Sequence, residues 1–300
     1  MNSMNTAWAW PWWTVMVVIN MFNLGVCYSL YRRSLTPNDN HALEYRSRMR
    51  VMGVIFALVA AYRAIFVSRY FHQFAWFDTV ANSSLLIRTF AIGAELSFAG
   101  LIALALLRVN QDIPDSSDKP RGKFLTFMTN ESPYILMGSI FLAQFFATSG
   151  LIMKSQTLFA IEETLWTIGF LAVLPLAIIQ LRRVALVNDE DMLPRLKMLI
   201  SSTRLIAAWC MIYCSYGLFY HLPLETWPAA IEQLKTGLPQ IKTGFEAISQ
   251  AFLVVHESKE YGDWGIGFLF WHSAYFSICV WIALALMRGP RLMPLDQEPG

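Results

Sequence analysis

Seven long blocks of apolar residues follow one another along this chain, and each can cross a hydrocarbon core about 30 Å thick. Lipid offers no hydrogen bonds, so each block must satisfy its own backbone N–H and C=O groups, which a helix does. We therefore predict an all-α integral membrane protein in which residues 1–300 form a single bundle. The predicted spans are 12–31, 51–71, 84–107, 134–153, 158–181, 199–220 and 264–287.

The composition points to the same class of protein. Hydrophobic residues make up 56% of the 300 residues and charged residues 15%, whereas soluble domains carry about a quarter charged residues. The net charge is +2, which is too small for the basic field that binds nucleic acid. We expect the lipid bilayer to be the main partner and expect no nucleic-acid partner.

The Lys and Arg residues of the short loops predict the orientation of the bundle. The N-terminal segment and the second loop contain none, and the fourth loop has only Lys154. The positive-inside rule therefore places the N-terminus outside and the C-terminus in the cytoplasm. The simplest location is a bacterial inner membrane. The basic residues on the cytoplasmic side are Arg32, Arg33, Arg46, Arg48, Arg50, Arg108, Lys119, Arg121, Lys123, Arg182, Arg183, Arg195, Lys197, Arg288 and Arg291.

The long outer loop between the sixth and seventh spans, residues 221–263, contains one amphipathic stretch. Its apolar residues recur at steps of three and four, which is the period of one face of a helix. We predict an interfacial helix over about residues 240–256, lying on the outer leaflet or over the mouth of the bundle. The apolar positions are Ile241, Phe245, Ile248, Phe252 and Val255.

Several ionisable side chains lie inside the predicted spans, mostly in the outer half. Charge in hydrocarbon is costly, so such residues usually pair with one another or line a pathway. We predict a polar cavity that opens outward between the second, third, fifth and seventh spans. The candidate substrate-binding residues are Arg88, Glu95, Glu162, Glu163 and His272.

Depth estimates suggest one specific ion pair among these residues. Arg63 lies about 12 Å and Glu95 about 16 Å below the outer border, on neighbouring antiparallel spans. We predict a structural Arg63–Glu95 pair near the midplane. Arg88 and Glu95 are about 10 Å apart along one helix. By main-chain spacing alone that is too far for contact, so Arg88 is expected to have another partner.

The cysteines and histidines do not form a recognisable ligand pattern. All four cysteines (Cys27, Cys210, Cys214 and Cys279) fall inside predicted spans, where buried reduced thiols are expected. No two histidines have the spacing of a metal site on one helix. We predict no metal and no cofactor.

Three functions stay open on the sequence. The first is a transporter, channel or ligand sensor, in which Arg69 and Arg88 attract an anionic or zwitterionic small molecule or ion. The second is a membrane-embedded enzyme acting on a lipid or quinone-like substrate, with Glu162 or Glu163 as acid and base and His272 as base or ligand. The third is a non-catalytic subunit that meets a membrane-protein partner or another copy of the chain.

Overall fold

The computed structural model describes residues 6–33, 43–113, 122–187 and 193–291, and most of them are helical. The predicted all-α class is confirmed. Two π-helical segments, Gly217–Thr226 and Tyr275–Cys279, join α6 to α7 and α9 to α10. The α-helices are α1 (Ala9–Arg33), α2 (Leu43–Ile65), α3 (Ser84–Asp112), α4 (Lys123–Met153), α5 (Gln156–Leu186), α6 (Leu193–Tyr216), α7 (Trp227–Thr236), α8 (Gly244–Leu253), α9 (Tyr261–Ala274) and α10 (Val280–Leu286).

Six helical segments of the described chain are long and apolar enough to cross a membrane, which fits an integral multi-pass membrane protein. The α2 helix, at the predicted second span, is not among them. Its length of about 34 Å would suffice, but Arg48, Arg50 and Arg63 lie within it. The six segments are Ala9–Arg32, Ser84–Asp112, Thr126–Met153, Gln156–Leu186, Leu196–Thr236 and Tyr261–Leu286.

Several helices begin or end away from the predicted span ends, and two of these differences affect the cavity region. The second predicted span reaches residue 71, but α2 ends at Ile65, and Arg69 lies in a short strand outside it. The sixth predicted span ends at residue 220, but the helix continues through the π-helical segment to Thr236. That segment contains Pro223. A proline removes one backbone N–H donor, and a wider turn is one way for a helix to continue past it.

Successive long helices alternate in direction, so the bundle has two ends. One end holds the N-terminus of α1, residues 66–83, the turn between α4 and α5, and residues 217–260; we call it the capped end. Three two-residue strands form a small sheet there. Strand β2 (Phe74–Ala75) pairs antiparallel with β1 (Ser68–Arg69) and parallel with β3 (His256–Glu257).

Buried Gln73 connects segments of the capped end. Its side chain donates to the backbone oxygens of Gln250 and Val254, and its own oxygen accepts a 2.6 Å bond from Lys154 Nζ. These contacts tie residues 66–83 to α8 and to the turn after α4. The capped end is therefore a folded layer over the helices.

The α8 helix falls within the stretch for which an amphipathic helix is predicted. Its small residues Ala247 and Ala251 are buried, whereas the Phe245 side chain is 83% exposed. The helix therefore packs one face on the protein and presents apolar side chains outward on the other. Its position on a membrane leaflet stays a prediction.

Candidate functional site

A partly open cavity of about 410 Å³ lies between the helices near the capped end. Its volume is within the range of small-molecule sites. Helices α2, α3, α5, α6 and α9 contribute to its wall, together with β1 and both π-helical segments. All five candidate residues from the sequence line it: Arg88, Glu95, Glu162, Glu163 and His272. The structure thus brings them to one place, and their role in binding stays a prediction.

Arg88 is the centre of a buried polar network on the cavity wall. Its Nη1 and Nη2 atoms donate to the two oxygens of Glu95 at 2.9 and 3.1 Å, and Nη2 also donates to Gln144 Oε1 at 2.5 Å. Glu162 Oε1 lies 3.6 Å from Nη1. The Arg88 side chain is only 4% exposed, and each of the two carboxylate side chains 9%. One cation therefore faces two carboxylates in a region that water hardly reaches.

The structure does not form the predicted Arg63–Glu95 ion pair; Glu95 is bound by Arg88 instead. Both residues lie on one face of α3, and the Glu95 side chain points back towards the N-terminus of that helix. The long Arg88 side chain covers the remaining distance. The expectation that Arg88 and Glu95 are too far apart for contact is wrong, because main-chain rise leaves out side-chain reach. The expectation that Arg88 has another partner is confirmed, since Glu162 and Gln144 also contact it.

Arg63 instead lies between two aromatic rings. Its guanidinium carbon is 4.9 Å from the centre of the Tyr70 ring and 4.8 Å from that of Phe276. No carboxylate of the described chain is within ion-pair distance of it. Cation–π contacts stabilise a guanidinium by about 0.5–2 kcal/mol but leave its N–H donors available. Arg63 is therefore a cation on the cavity wall without an anionic partner among the described residues.

Five buried polar atoms of the cavity wall have no hydrogen-bond partner within the described protein. They are the hydroxyls of Tyr70 and Tyr275, Nε of Arg88, Nε1 of Trp209 and Nε2 of His272. A buried polar group without a partner costs about 1–3 kcal/mol, so native structures contain few of them. Five such atoms near one cavity are therefore an unusual concentration of unsatisfied polar groups among the described residues.

A second cluster of ionisable groups also lines the cavity and was not predicted as a unit. His221 Nδ1 is 2.8 Å from Glu225 Oε2, and its Nε2 is 3.6 Å from Glu163 Oε2. The Tyr213 hydroxyl donates to Glu163 Oε2 at 3.4 Å. The sequence signal is Glu225 four residues after His221, which is informative only if both are helical. The sequence predicts an outer loop that contains both residues, and in a loop this four-residue spacing does not indicate that their side chains meet.

Aromatic rings form most of the remaining wall. The Tyr216 ring stacks on Trp271 at a centroid distance of 5.5 Å and on His221 at 5.1 Å. In a sequence such rings resemble ordinary core residues, so no sequence signal marks them as part of a site. The aromatic residues of this wall include Phe159, Trp166, Trp209, Tyr213, Tyr216, Phe268 and Trp271.

The cysteines lie outside this wall. All four are buried free thiols. Among the described residues, no three His, Cys, Asp or Glu side chains gather in a group that could hold a metal ion.

No protein-family model matches the chain, no curated protein is significantly similar to it, and no solved structure matches its fold. Function must therefore be argued from the site.

Proposed function

We propose that this chain is a membrane protein that binds a small anionic or zwitterionic molecule in its cavity, for transport or for sensing. The observation that carries the proposal is Arg63, a cation held against aromatic rings on the cavity wall with no carboxylate partner among the described residues. The hydroxyls of Tyr70 and Tyr275 are buried beside the same wall and have no partner among the described residues, so a ligand that reaches them gains two donors. Together they suit the oxygens of a carboxylate or phosphate group.

The other parts of the wall suggest the rest of the ligand. Aromatic side chains would cover an apolar body, as in most small-molecule sites. The side chain of Glu163 is 29% exposed and also lines the cavity, where it can bind an ammonium group. Arg88 already has Glu95, Glu162 and Gln144 as partners. In this proposal Arg88 holds the wall together, and Arg63 meets the anionic end of the ligand.

The proposal includes seven spans, with α2 as the second. Helix α2 packs against α1, α3 and α10, so it runs through the bundle beside helices that are apolar enough to cross a membrane. The N-terminus and the capped end are then outside, and the basic residues of the opposite end are in the cytoplasm. In this orientation the cavity opens outward, in a bacterial inner membrane.

Three ring compounds of similar size and different charge test the ligand class. Benzoate, phenylalanine and benzylamine are added to the purified full chain in detergent, and the thermal unfolding midpoint is measured. We expect benzoate and phenylalanine to raise the midpoint, because a ligand that binds only the folded state stabilises it. Benzylamine should have little effect.

The Arg63→Gln variant should lose the effect of benzoate. The matched control is Arg182→Gln, which removes an exposed arginine at the opposite end of α5. An equal response to benzylamine and benzoate, or an unchanged response in Arg63→Gln, would contradict the proposal. Uptake of labelled phenylalanine into proteoliposomes would then distinguish transport from sensing.

A further inference from the structure

We propose that Glu225, His221 and Glu163 form a proton relay from the surface of the capped end to the cavity. This activity goes beyond ligand binding and does not depend on which molecule the cavity takes. Glu225 is the most exposed of the three, at 46% of its side chain, whereas the side chain of His221 is 23% exposed and that of Glu163 29%. The side chain of Glu162, the preceding residue of α5, is 9% exposed.

The geometry of the imidazole carries the proposal. Each ring nitrogen faces a different carboxylate: Nδ1 is 2.8 Å from Glu225, and Nε2 is 3.6 Å from Glu163. The first distance is a hydrogen bond, and the second is slightly too long for one. Hydrogen bonds of proton-transfer groups are often long before a ligand binds. A small rotation of the Glu163 side chain closes the gap.

The transfer changes only N–H and O–H bonds. In the neutral tautomer with its proton on Nε2, the Nδ1 lone pair accepts a proton from the Glu225 carboxylic acid. The imidazolium then releases its Nε2 proton to the Glu163 carboxylate. One proton has moved from Glu225 to Glu163, and no electrons are exchanged. His221 is left with its proton on Nδ1, and it returns to the starting tautomer by losing that proton to solvent water and taking one up at Nε2.

The surroundings of His221 favour a proton on this path. Within the described chain, no Lys or Arg lies within ion-pair distance of the three relay residues. Helices α5, α6 and α7 pack on the π-helical segment that carries His221. The titratable groups that face His221 are Glu162 and Glu163 from α5, Tyr213 and Tyr216 from α6, and Tyr220 and Glu225 from its own segment. All of them are neutral or anionic at neutral pH.

The test follows protonation of Glu163 in the full chain in liposomes after a rapid drop in pH. Infrared spectroscopy records the C=O band of the protonated carboxylic acid, and Glu163→Gln identifies this band. We expect His221→Gln to slow its appearance by about tenfold or more. In His221→Ala, free imidazole in solution should restore the rate. The matched control His256→Asn, an exposed histidine of the capped end, should behave like the wild type.

A wild-type rate in His221→Gln would overturn the relay. So would a change in the final amplitude of the band with an unchanged rate, because that result means an electrostatic effect only. If circular dichroism shows that the His221 variants do not fold, the rate of Glu163 protonation is measured in Glu225→Gln instead. The Glu225 side chain is 46% exposed, so folding should tolerate this variant, and we expect a slower rate. An unchanged rate in Glu225→Gln would then overturn the proposal.

Discussion

The buried pair of Arg88 and Glu95 predicts a large coupling energy between these two residues. The variants are Arg88→Met, Glu95→Gln and the double variant. Arg88→Met leaves two carboxylates, Glu95 and Glu162, buried without their cation. Glu95→Gln removes one carboxylate from a network in which carboxylates outnumber the cation. The arginine variant should therefore be the more destabilising of the two.

The magnitudes follow from the burial and the distances. At about 3 Å and an effective dielectric constant of about 20, the attraction is about 5.5 kcal/mol before desolvation is subtracted. Removing one partner of a buried pair costs about 3–5 kcal/mol, which we expect for Arg88→Met. For Glu95→Gln we expect a loss of about 1–2 kcal/mol, that of a hydrogen bond to a charged group. The coupling energy should be about 2–3 kcal/mol.

The measurement is the free energy of unfolding in mixed micelles, titrated with dodecyl sulfate and followed by circular dichroism. A second cycle with Arg63→Met and Glu95→Gln is the control. Because Arg63 packs on rings and not on Glu95, these two changes should add within about 0.5 kcal/mol. Additive losses for Arg88 and Glu95, together with strong coupling between Arg63 and Glu95, would refute the pairing of Arg88 with Glu95.

Three further changes test the packing of the capped end, each by the same unfolding titration. Lys259→Met removes an ammonium that lies over three aromatic rings and should cost about 1–2 kcal/mol; an unchanged stability would contradict these contacts. Gly217→Ala places a Cβ atom 2.6 Å from Thr167 Oγ1 and should cost about 1–3 kcal/mol. The control Gly138→Ala, at a glycine with open space around it, should not destabilise the protein. Equal losses for Gly217→Ala and Gly138→Ala would argue against the close approach of Gly217 to Thr167. Gln233→Leu breaks three hydrogen bonds to backbone groups and should cost about 3 kcal/mol, whereas a loss below about 1 kcal/mol would show that the amide is not a connector.

The long helices can be predicted from the sequence because their apolar length is a local property. Helix α3 begins at Ser84, as expected, where the Ser83 hydroxyl accepts from Leu86 N and caps it. The predicted sixth span is too short because polar residues such as His221 and Glu225 suggest a loop. Whether a helix continues past such residues depends on its neighbours, here α5 and α7. That information is not local.

The sequence predicts which charged residues form the candidate site but not which of them pair with one another. Intramembrane charge is unusual enough to identify Arg88, Glu95, Glu162, Glu163 and His272 as a group. Their partners depend on side-chain direction, which main-chain depth does not describe. Tyr70 and Tyr275 have no signal in the sequence, because a hydroxyl without a partner is visible only once the packing around it is known.

The charge selectivity of the cavity is the most direct test of the central claim. A cysteine is placed in the wall by Phe268→Cys, and intact cells are treated with membrane-impermeant thiol reagents, one anionic and one cationic. The control is Phe270→Cys, two residues further along α9, where the side chain is 71% exposed. The four native thiols are buried and should contribute little background.

The measured quantity is the ratio of the labelling rate with the anionic reagent to that with the cationic reagent. We predict a higher ratio at position 268 than at position 270, and we predict that Arg63→Gln removes this difference. Equal ratios at both positions, a preference that survives Arg63→Gln, or no reaction at position 268 from outside would contradict an outward cavity that attracts anions.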